Sequence, residues 1–218
     1  MVNANELIDM IKKARERTEK KKFNQSVELI ITLKDIDVKK GFALNEVVNL
    51  PHPASKKASV CVVGGGDLTL RARKADADRV IEAEELDRIG TNKKEAKKLV
   101  KEYDFFVADT SLMPAVGKAL GQYLGPRGKM AAPIQFNAPI ETILNRFRTS
   151  VRVRSKAQLT VSCKIGDESM GDQDLANNAL AVMAAIEKKL PSGDKNIKGV
   201  IVKLTMGKIV KLAEVKVA

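Results

Sequence analysis

The sequence is poor in the residues from which metal and redox sites are built. Its 218 residues include one histidine, two cysteines and no tryptophan. Cys61 and Cys163 lie far apart in separate apolar runs, and His52 lies between two prolines. We therefore expect two buried reduced thiols, no metal-ligand cluster and no bound cofactor, with His52 as a loop residue and not a general base.

Long apolar runs are also missing. No segment approaches the roughly 20 apolar residues that span a bilayer. The first six residues, Met1 to Glu6, lack the basic-then-apolar pattern of a signal peptide. We expect a cytoplasmic protein without a membrane partner.

Negative charge is scarce relative to positive charge. Lysine and arginine number 39 against 27 aspartates and glutamates, which gives a net charge of +12. A globular protein this basic is most often the partner of a polyanion. The excess is only weakly clustered, so charge alone does not separate RNA, DNA and an acidic membrane as partners.

The apolar residues follow two different patterns along the chain. Near the N-terminus, Leu7 to Ala14 form a helical stripe, and Val27 to Ile31 alternate as in a half-buried strand. In the middle, uninterrupted apolar strands such as Val60–Val63 and Phe105–Ala108 alternate with helices, which implies a small parallel sheet covered on both faces. From Ser150 the first pattern returns. We predict a split α+β outer domain, with helices on an antiparallel sheet, at residues 1–54 and 150–218, interrupted by an α/β domain at 55–149.

Two glycine-rich stretches invite a functional interpretation. Gly64–Gly66 follows an apolar strand, as in a dinucleotide site, but the third glycine of that motif would fall at Thr69. A nucleotide-binding enzyme is the alternative that this stretch keeps open. The Gly125–Met130 stretch is not a P-loop, and it is interpreted equally well as a plain exposed loop or as a cationic loop that admits a phosphate backbone. No nucleophile, base and orienting group occur together, so we expect no catalytic activity.

Two stretches near opposite ends of the chain have a similar composition, in which lysines accompany a large apolar residue and a hydroxyl residue. In Val202–Lys208, the end of a strand is followed by a threonine, a methionine and a glycine, with a lysine on each side of these residues. Lys20–Ser26 combines lysines, a phenylalanine and a serine. Gly207 has no Cβ, so the backbone of another molecule could lie directly on it. The plain alternative is a strand that turns at a glycine.

Four stretches, taken together and in order, resemble the L-one family of ribosomal proteins in its archaeal form. The resemblance implies a split outer domain with a Rossmann-like insert. It also implies binding to the large-subunit rRNA of the lateral stalk, assistance in releasing deacylated tRNA from the exit site, and repression of translation through a stalk-like structure in the protein's own mRNA. The free protein would be a monomer without a small-molecule substrate. The matching stretches are Lys22–Glu28, Leu50–His52, Leu124–Met130 and Leu204–Gly207.

The resemblance also implies which residues contact RNA. Phe23 and Met206 would offer apolar faces to sugars or bases, while hydroxyl and carboxylate groups would bond to 2′-hydroxyls. Arg127 and Lys129 are weaker candidates for a contact with tRNA or with the RNA backbone. The residues implied for the rRNA and mRNA surface are Lys22, Phe23, Ser26, Glu28, Lys156, Thr205, Met206 and Gly207.

Overall fold

The computed structural model describes residues 2–37, 42–135, 137–155 and 158–213. The chain divides into two compact units. The first, here called the outer domain, comprises Met1–Lys57 and Thr149–Ala218, and the second, here called the insert, comprises Ala58–Arg148.

The elements alternate between helix and strand in the insert and are mostly strands in the outer domain. In chain order they are α1 (Ala4–Glu16), β1 (Ser26–Leu33), β2 (Leu44–Asn49), β3 (Val60–Val63), α2 (Asp67–Lys74), β4 (Arg79–Ile81), α3 (Ala83–Thr91), α4 (Lys93–Glu102), β5 (Phe105–Asp109), α5 (Met113–Arg127), β6 (Ala132–Ile134), α6 (Ile140–Arg148), β7 (Ser150–Ser155), β8 (Thr160–Asp167), α7 (Asp172–Glu187), β9 (Ile197–Leu204) and β10 (Val210–Lys211).

The outer domain is built on a six-stranded antiparallel sheet in the order β10-β9-β1-β8-β7-β2. The first strand of the chain therefore lies between two strands from its C-terminal third. Alternate residues of β1 are buried, as the apolar pattern predicts. The buried face packs against α1 and α7, and α1 is capped by Asn3, whose amide donates to Glu6 Oε2 at 2.9 Å. The opposite face of β1 is half-buried.

The insert is a four-stranded parallel sheet in the order β4-β3-β5-β6. All residues of β3 are buried because helices cover both faces. Cys61 and Phe106 pack in the cluster formed with α3, α4 and α5, while Val62 and Phe105 pack in the cluster formed with α2 and α6. The fold class predicted from the sequence, an α+β outer domain interrupted by an α/β domain with a small parallel sheet, is confirmed.

The prediction of a loop over Gly125–Met130 is wrong in its first half. Helix α5 continues through Pro126 to Arg127 and ends at Gly128, which has a φ of 67°. Pro126 has no amide to donate to the Gln122 carbonyl, so the last turn of α5 forms with one hydrogen bond fewer. The amides of Gly128 and Lys129 donate to the carbonyls of Gly125 and Leu124 at 2.9 and 3.0 Å, closing the helix end.

No helix in the described ranges combines the length and the apolar character needed to cross a bilayer.

Candidate nucleic-acid interface

Two large apolar side chains are exposed at one end of the outer sheet. Antiparallel pairing places Val27 of β1 opposite Leu204 of β9, so the segment before β1 lies beside the turn after β9. Phe23 in the first segment is 51% exposed, and Met206 in the second is 65% exposed. Large apolar groups exposed in neighbouring segments are typical of a contact surface. We call Lys20–Glu28 together with Thr205–Gly207 the strand-end surface.

Thr205 ties the two halves of the strand-end surface together. The Ser26 amide donates to Thr205 Oγ1 at 3.1 Å, and the Thr205 hydroxyl and amide both approach the Ser26 carbonyl, at 3.2 and 3.0 Å. A hydroxyl has one donor and two acceptor lone pairs, so one acceptor position of the exposed Thr205 side chain is left for a ligand. Thr205 is therefore both a clamp and a candidate contact.

Gln25 supports the strand-end surface, and the sequence reasoning did not identify it. It is only 1% exposed, its Oε1 accepts the Met206 amide at 3.0 Å, and its Nε2 donates to the Glu19 carbonyl at 3.4 Å. This amide holds the Met206 turn against the segment that carries Phe23. The sequence did indicate that Gln25 is unusual. It is polar, yet it continues the alternating positions at which Val27 and Leu29 are buried.

Gly207 has an intramolecular role that the sequence did not reveal. A Cβ at Gly207 would lie 3.2 Å from Thr18 Cβ and closer still to the Thr18 hydroxyl. Thr18 follows α1 and donates to the Ala14 carbonyl at 2.6 Å, so it is not free to move aside. The missing side chain at Gly207 therefore makes room for Thr18.

The half-buried face of the sheet adds charged groups to the strand-end surface. Glu28 lies opposite Lys164 of β8 and Lys203 of β9. Residues directly opposite in antiparallel strands share a face, so Glu28 lies in a row between two lysines. Ser26, also half-buried, lies opposite Asp167. Lys164 was not among the predicted contacts, although its place in an alternating strand could have indicated it.

A cleft of about 590 Å³ lies beside Phe23, with Lys20–Lys22 and Glu168 among its lining residues. Lys21 forms an ion pair with Glu19 at 2.9 Å, and this hydrogen bond and charge lower the pKa of Glu19. Lys20 and Lys22 are exposed. The cleft therefore presents cations beside an aromatic ring.

Arg15 shapes the far wall of this cleft from inside the protein. Its guanidinium donates to the carbonyls of Glu168 and Met170 at 2.7 and 2.6 Å and pairs with Asp172 at 2.8 Å. Because these three partners hold the guanidinium, Arg15 fixes the loop between β8 and α7. It is a support of the cleft wall and not a contact that projects from it.

Three predicted contacts lie elsewhere in the chain. Lys156 is outside the described residues. Arg127 is the exposed last residue of α5, in the insert. The Lys129 ammonium donates to the carbonyls of Val100 and Tyr103 at 3.1 and 2.6 Å, which commits this side chain to the insert's own structure.

The glycine loop after β3 has a structural explanation. A Cβ at Gly64 would lie 2.9 Å from Leu68 Cδ2, so this glycine makes room for a buried leucine. Thr69, at the position where a dinucleotide motif needs its third glycine, is buried and donates its hydroxyl to the Gly66 carbonyl. These contacts do not favour the nucleotide-binding alternative.

The two thiols are buried and His52 lies in a loop, as expected from the sequence. Cys61 and Cys163 are buried and free, and burial raises the pKa of each to about 12. His52 lies in the loop after β2. Within the described part of the chain, no group of three or more His, Cys, Asp or Glu is placed to hold a metal ion.

Comparison with known proteins gives one consistent result. Residues 11–208 match the profile of the Ribosomal protein L1p/L10e family. The large ribosomal subunit protein uL1 of Cenarchaeum symbiosum (strain A) is 56% identical over 211 residues, covering 97% of each chain. The uL1 proteins of Thermofilum pendens and Methanothermobacter thermautotrophicus are 50% and 42% identical, covering 98% and 95% of this chain and 95% and 98% of theirs. The resemblance inferred from four short stretches is thereby confirmed: the chain belongs to the ribosomal protein L1p/L10e family.

Proposed function

We propose that this protein, a structural component of the large subunit of the cytoplasmic ribosome by its family, binds the rRNA of the lateral stalk through the strand-end surface. It assists the release of deacylated tRNA from the exit site. It also represses translation by binding a stalk-like structure in its own mRNA. The free protein acts as a monomer, without a cofactor or a small-molecule substrate.

The observation that carries this proposal is the exposure of Phe23 and Met206 on a rigid support. Gln25 and Thr205 hold the two segments by hydrogen bonds, so little conformational entropy is lost when RNA binds. An aromatic ring and a thioether suit the faces of bases and sugars. The free acceptor position of Thr205 suits a 2′-hydroxyl, the group that distinguishes RNA from DNA.

The lysines around this surface supply a second, less selective contribution. Lys22 within this surface and Lys208 next to it are exposed, and the whole chain carries a net charge of +12. Contacts between lysines and phosphates weaken steeply with salt and carry no sequence information. We therefore assign specificity to the packed contacts and a general, salt-dependent affinity to the lysines.

The same surface serves rRNA and mRNA in this proposal, so the two RNAs compete for it. Substitutions in the strand-end surface should weaken both complexes in parallel. Arg127 remains the candidate for a contact with exit-site tRNA, since it is exposed while the Lys129 ammonium is bonded within the insert.

A gel-shift titration with an rRNA stalk fragment and a random hairpin of equal length, each at two salt concentrations, tests the proposal. We expect a preference for the stalk fragment that persists at the higher salt, and loss of that preference in Phe23→Ala. Equal affinity for both RNAs would identify a sequence-blind basic protein instead. Calorimetry with nicotinamide, flavin and adenine nucleotides tests the enzyme alternative, and tight binding of any of them would support it.

A further inference from the structure

Helix α4 of the insert carries its positive charge on one side. Half of its ten residues are lysines, and its buried side is formed by Ala96, Leu99 and Val100. At a rotation of about 100° per residue, four of the five lysines lie within roughly 100° of one another around the helix, away from the buried side. All four are exposed. We call them the lysine ridge: Lys93, Lys94, Lys97 and Lys101.

The lysine ridge is not neutralised by the protein. Across the described ranges, no carboxylate forms an ion pair with any of its four side chains. Several arginines of the insert, in contrast, do have such partners. Arg73 pairs with Glu82 at 2.8 Å, and both Arg79 and Arg88 approach Glu85. The ridge therefore presents its full charge to solvent.

The lysine ridge is also unfavourable for the helix that carries it. Lys93 and Lys94 lie in the first turn, at the positive end of the helix dipole. Lys97 lies one turn from both Lys93 and Lys101, and like charges at this spacing destabilise a helix. The side chain of Asn92 accepts the Lys94 amide at 3.1 Å, which fixes the start of α4. An arrangement that opposes helix formation and has no internal compensation is expected at a functional surface.

The chemistry of α4 selects phosphate as the ligand. No exposed residue of this helix is apolar or aromatic, so it offers nothing to stack on a base or to enter a lipid layer. The fifth lysine, Lys98, lies toward Glu95 and Glu102 and lines a cleft with them. The ammonium group of a lysine is a point charge that suits a phosphate and reads no base edge. The polyanion that surrounds a protein of the large ribosomal subunit is RNA.

We propose that the lysine ridge is a second RNA-binding surface, which contacts the phosphate backbone of an RNA duplex regardless of its sequence. It adds affinity and no selectivity. The inference goes beyond the proposed function, which assigns RNA binding to the strand-end surface of the outer domain, and it does not depend on that assignment.

Titration of the full chain with a random-sequence RNA duplex, over a series of salt concentrations, tests the ridge. The ridge variant combines Lys93→Gln, Lys94→Gln, Lys97→Gln and Lys101→Gln, and glutamine preserves α4 because it is a good helix former. We expect its affinity for the duplex to fall at least about ten-fold at low salt. The slope of log affinity against log salt should become shallower by about 2–3, since each phosphate contact contributes roughly 0.7–0.9.

Two further variants separate the ridge from net charge and from structure. Arginine at the same four positions keeps the charge and should bind the duplex as the natural sequence does. The scattered variant removes an equal charge from exposed positions elsewhere, and we expect it to lose less than about three-fold in affinity. It combines Lys74→Gln, Lys118→Gln, Lys188→Gln and Lys195→Gln.

The competing explanations give different results. Equal losses in the ridge and scattered variants, or an equal loss in the arginine variant, would overturn the proposal. Full duplex affinity in the ridge variant, with lost binding to vesicles that contain phosphatidylserine, would overturn it in favour of a membrane partner. The preference for a stalk fragment over a random hairpin should persist in the ridge variant. Absence of that preference in the natural sequence would overturn the proposed function and leave the ridge in place.

Discussion

The outer domain and the insert differ in how they use buried polar side chains. Among the described residues, the insert buries one, Thr69, which bonds to Gly66 three residues earlier. In the outer domain several of these bonds span long distances in sequence, including 112 residues between Asp167 and Ser55 and 181 between Gln25 and Met206, although Ser155 bonds to the nearby Gln158 carbonyl. The six buried polar residues of the outer domain are Gln25, Ser150, Ser155, Asp167, Asn178 and Asn196.

This difference indicates where segments that are distant in sequence have to be held in a fixed position relative to one another. A buried polar group costs free energy unless it is hydrogen-bonded, so an apolar core suffices where only stability is needed. The insert follows that rule. In the outer domain, Gln25 and Asp167 hold segments beside the strand-end surface, and Asn178 holds the loop after β2, so segments from distant parts of the chain keep a fixed geometry there.

The largest loss of stalk affinity is expected when an exposed methionine of the strand-end surface is replaced, and the same replacement in the insert should have little effect. Met206→Asp should weaken stalk binding by about 100-fold or more, because it removes a packed apolar contact and places a carboxylate near phosphates. Met130→Asp is the matched control, since Met130 is 48% exposed and lies in the insert. Titration of labelled stalk RNA measures both. Equal losses in the two variants would show that the strand-end surface is wrongly placed.

Acid should destabilise the outer domain through Asp167. Burial alone would raise the pKa of Asp167, but hydrogen bonds from Ser169 and Ser55 outweigh it. Its pKa is about 2 in the folded protein, below the ordinary value of 3.8, so the carboxylate stabilises the fold above pH 3.8 and loses that contribution as the pH falls toward 2. The full contribution is up to about 2 kcal/mol, of which roughly half should be lost by pH 3. Urea unfolding of the natural sequence and Asp167→Asn between pH 6 and pH 3 measures it. A stability difference between them that does not shrink on acidification would contradict this assignment.

A smaller effect tests the clamp in the strand-end surface. Thr205→Ala removes the hydroxyl that bonds to Ser26, and we expect stalk affinity to fall by about 1–3 kcal/mol because the Ser26 amide loses its acceptor and the turn is held less firmly. Thr205→Ser keeps the hydroxyl and should bind almost normally. Lys101→Ala, at an exposed position of α4 in the insert, should change affinity less than about two-fold, since single phosphate contacts are replaceable. A Lys101 effect as large as that of Thr205 would move the recognition surface to the insert.

Deletion of the whole insert should leave most of the free energy of stalk binding intact. The predicted boundaries of 55–149 would remove Ser55 and its bonds to Asp167, so excision of Ala58–Arg148 is the better design. The Leu50 amide donates to the Thr149 carbonyl at 3.0 Å, which brings entry and exit close enough for a short glycine linker. We expect a folded outer domain by circular dichroism and stalk affinity within about ten-fold of the natural sequence. A folded product that no longer prefers the stalk would assign specificity to the insert.

Local patterns predicted the fold well. The alternation from Val27 to Ile31 and the continuous apolar strand at Val60–Val63 each identify their sheet, because the period of burial follows from whether one face or both are covered. Helix α3 was missed, although Leu86 and Ile89 have helical spacing. The end of α5 was placed too early, because Gly125–Arg127, assigned to a loop, belong to the last turn of the helix.

The candidate site was less accessible to sequence reasoning. Phe23, Thr205 and Met206 were identified by a family resemblance, and they lie in adjacent segments. Their supports, Gln25 and Asp167, were not identified, because nothing local to either residue indicates a partner more than a hundred positions away. Gly207 was interpreted as open to a ligand, but the space beside it belongs to Thr18, which only the tertiary structure reveals.

The position of β1 between β8 and β9 has a consequence for the order in which the protein is made. Synthesis proceeds from the N-terminus at about 5–20 residues per second, so β1 waits roughly 10–40 s for β9 to be made. The insert is contiguous and is completed first. In the proposed function, the selective RNA contacts are therefore complete only when the strand that ends at Leu204 is in place, and an unfinished nascent chain lacks them.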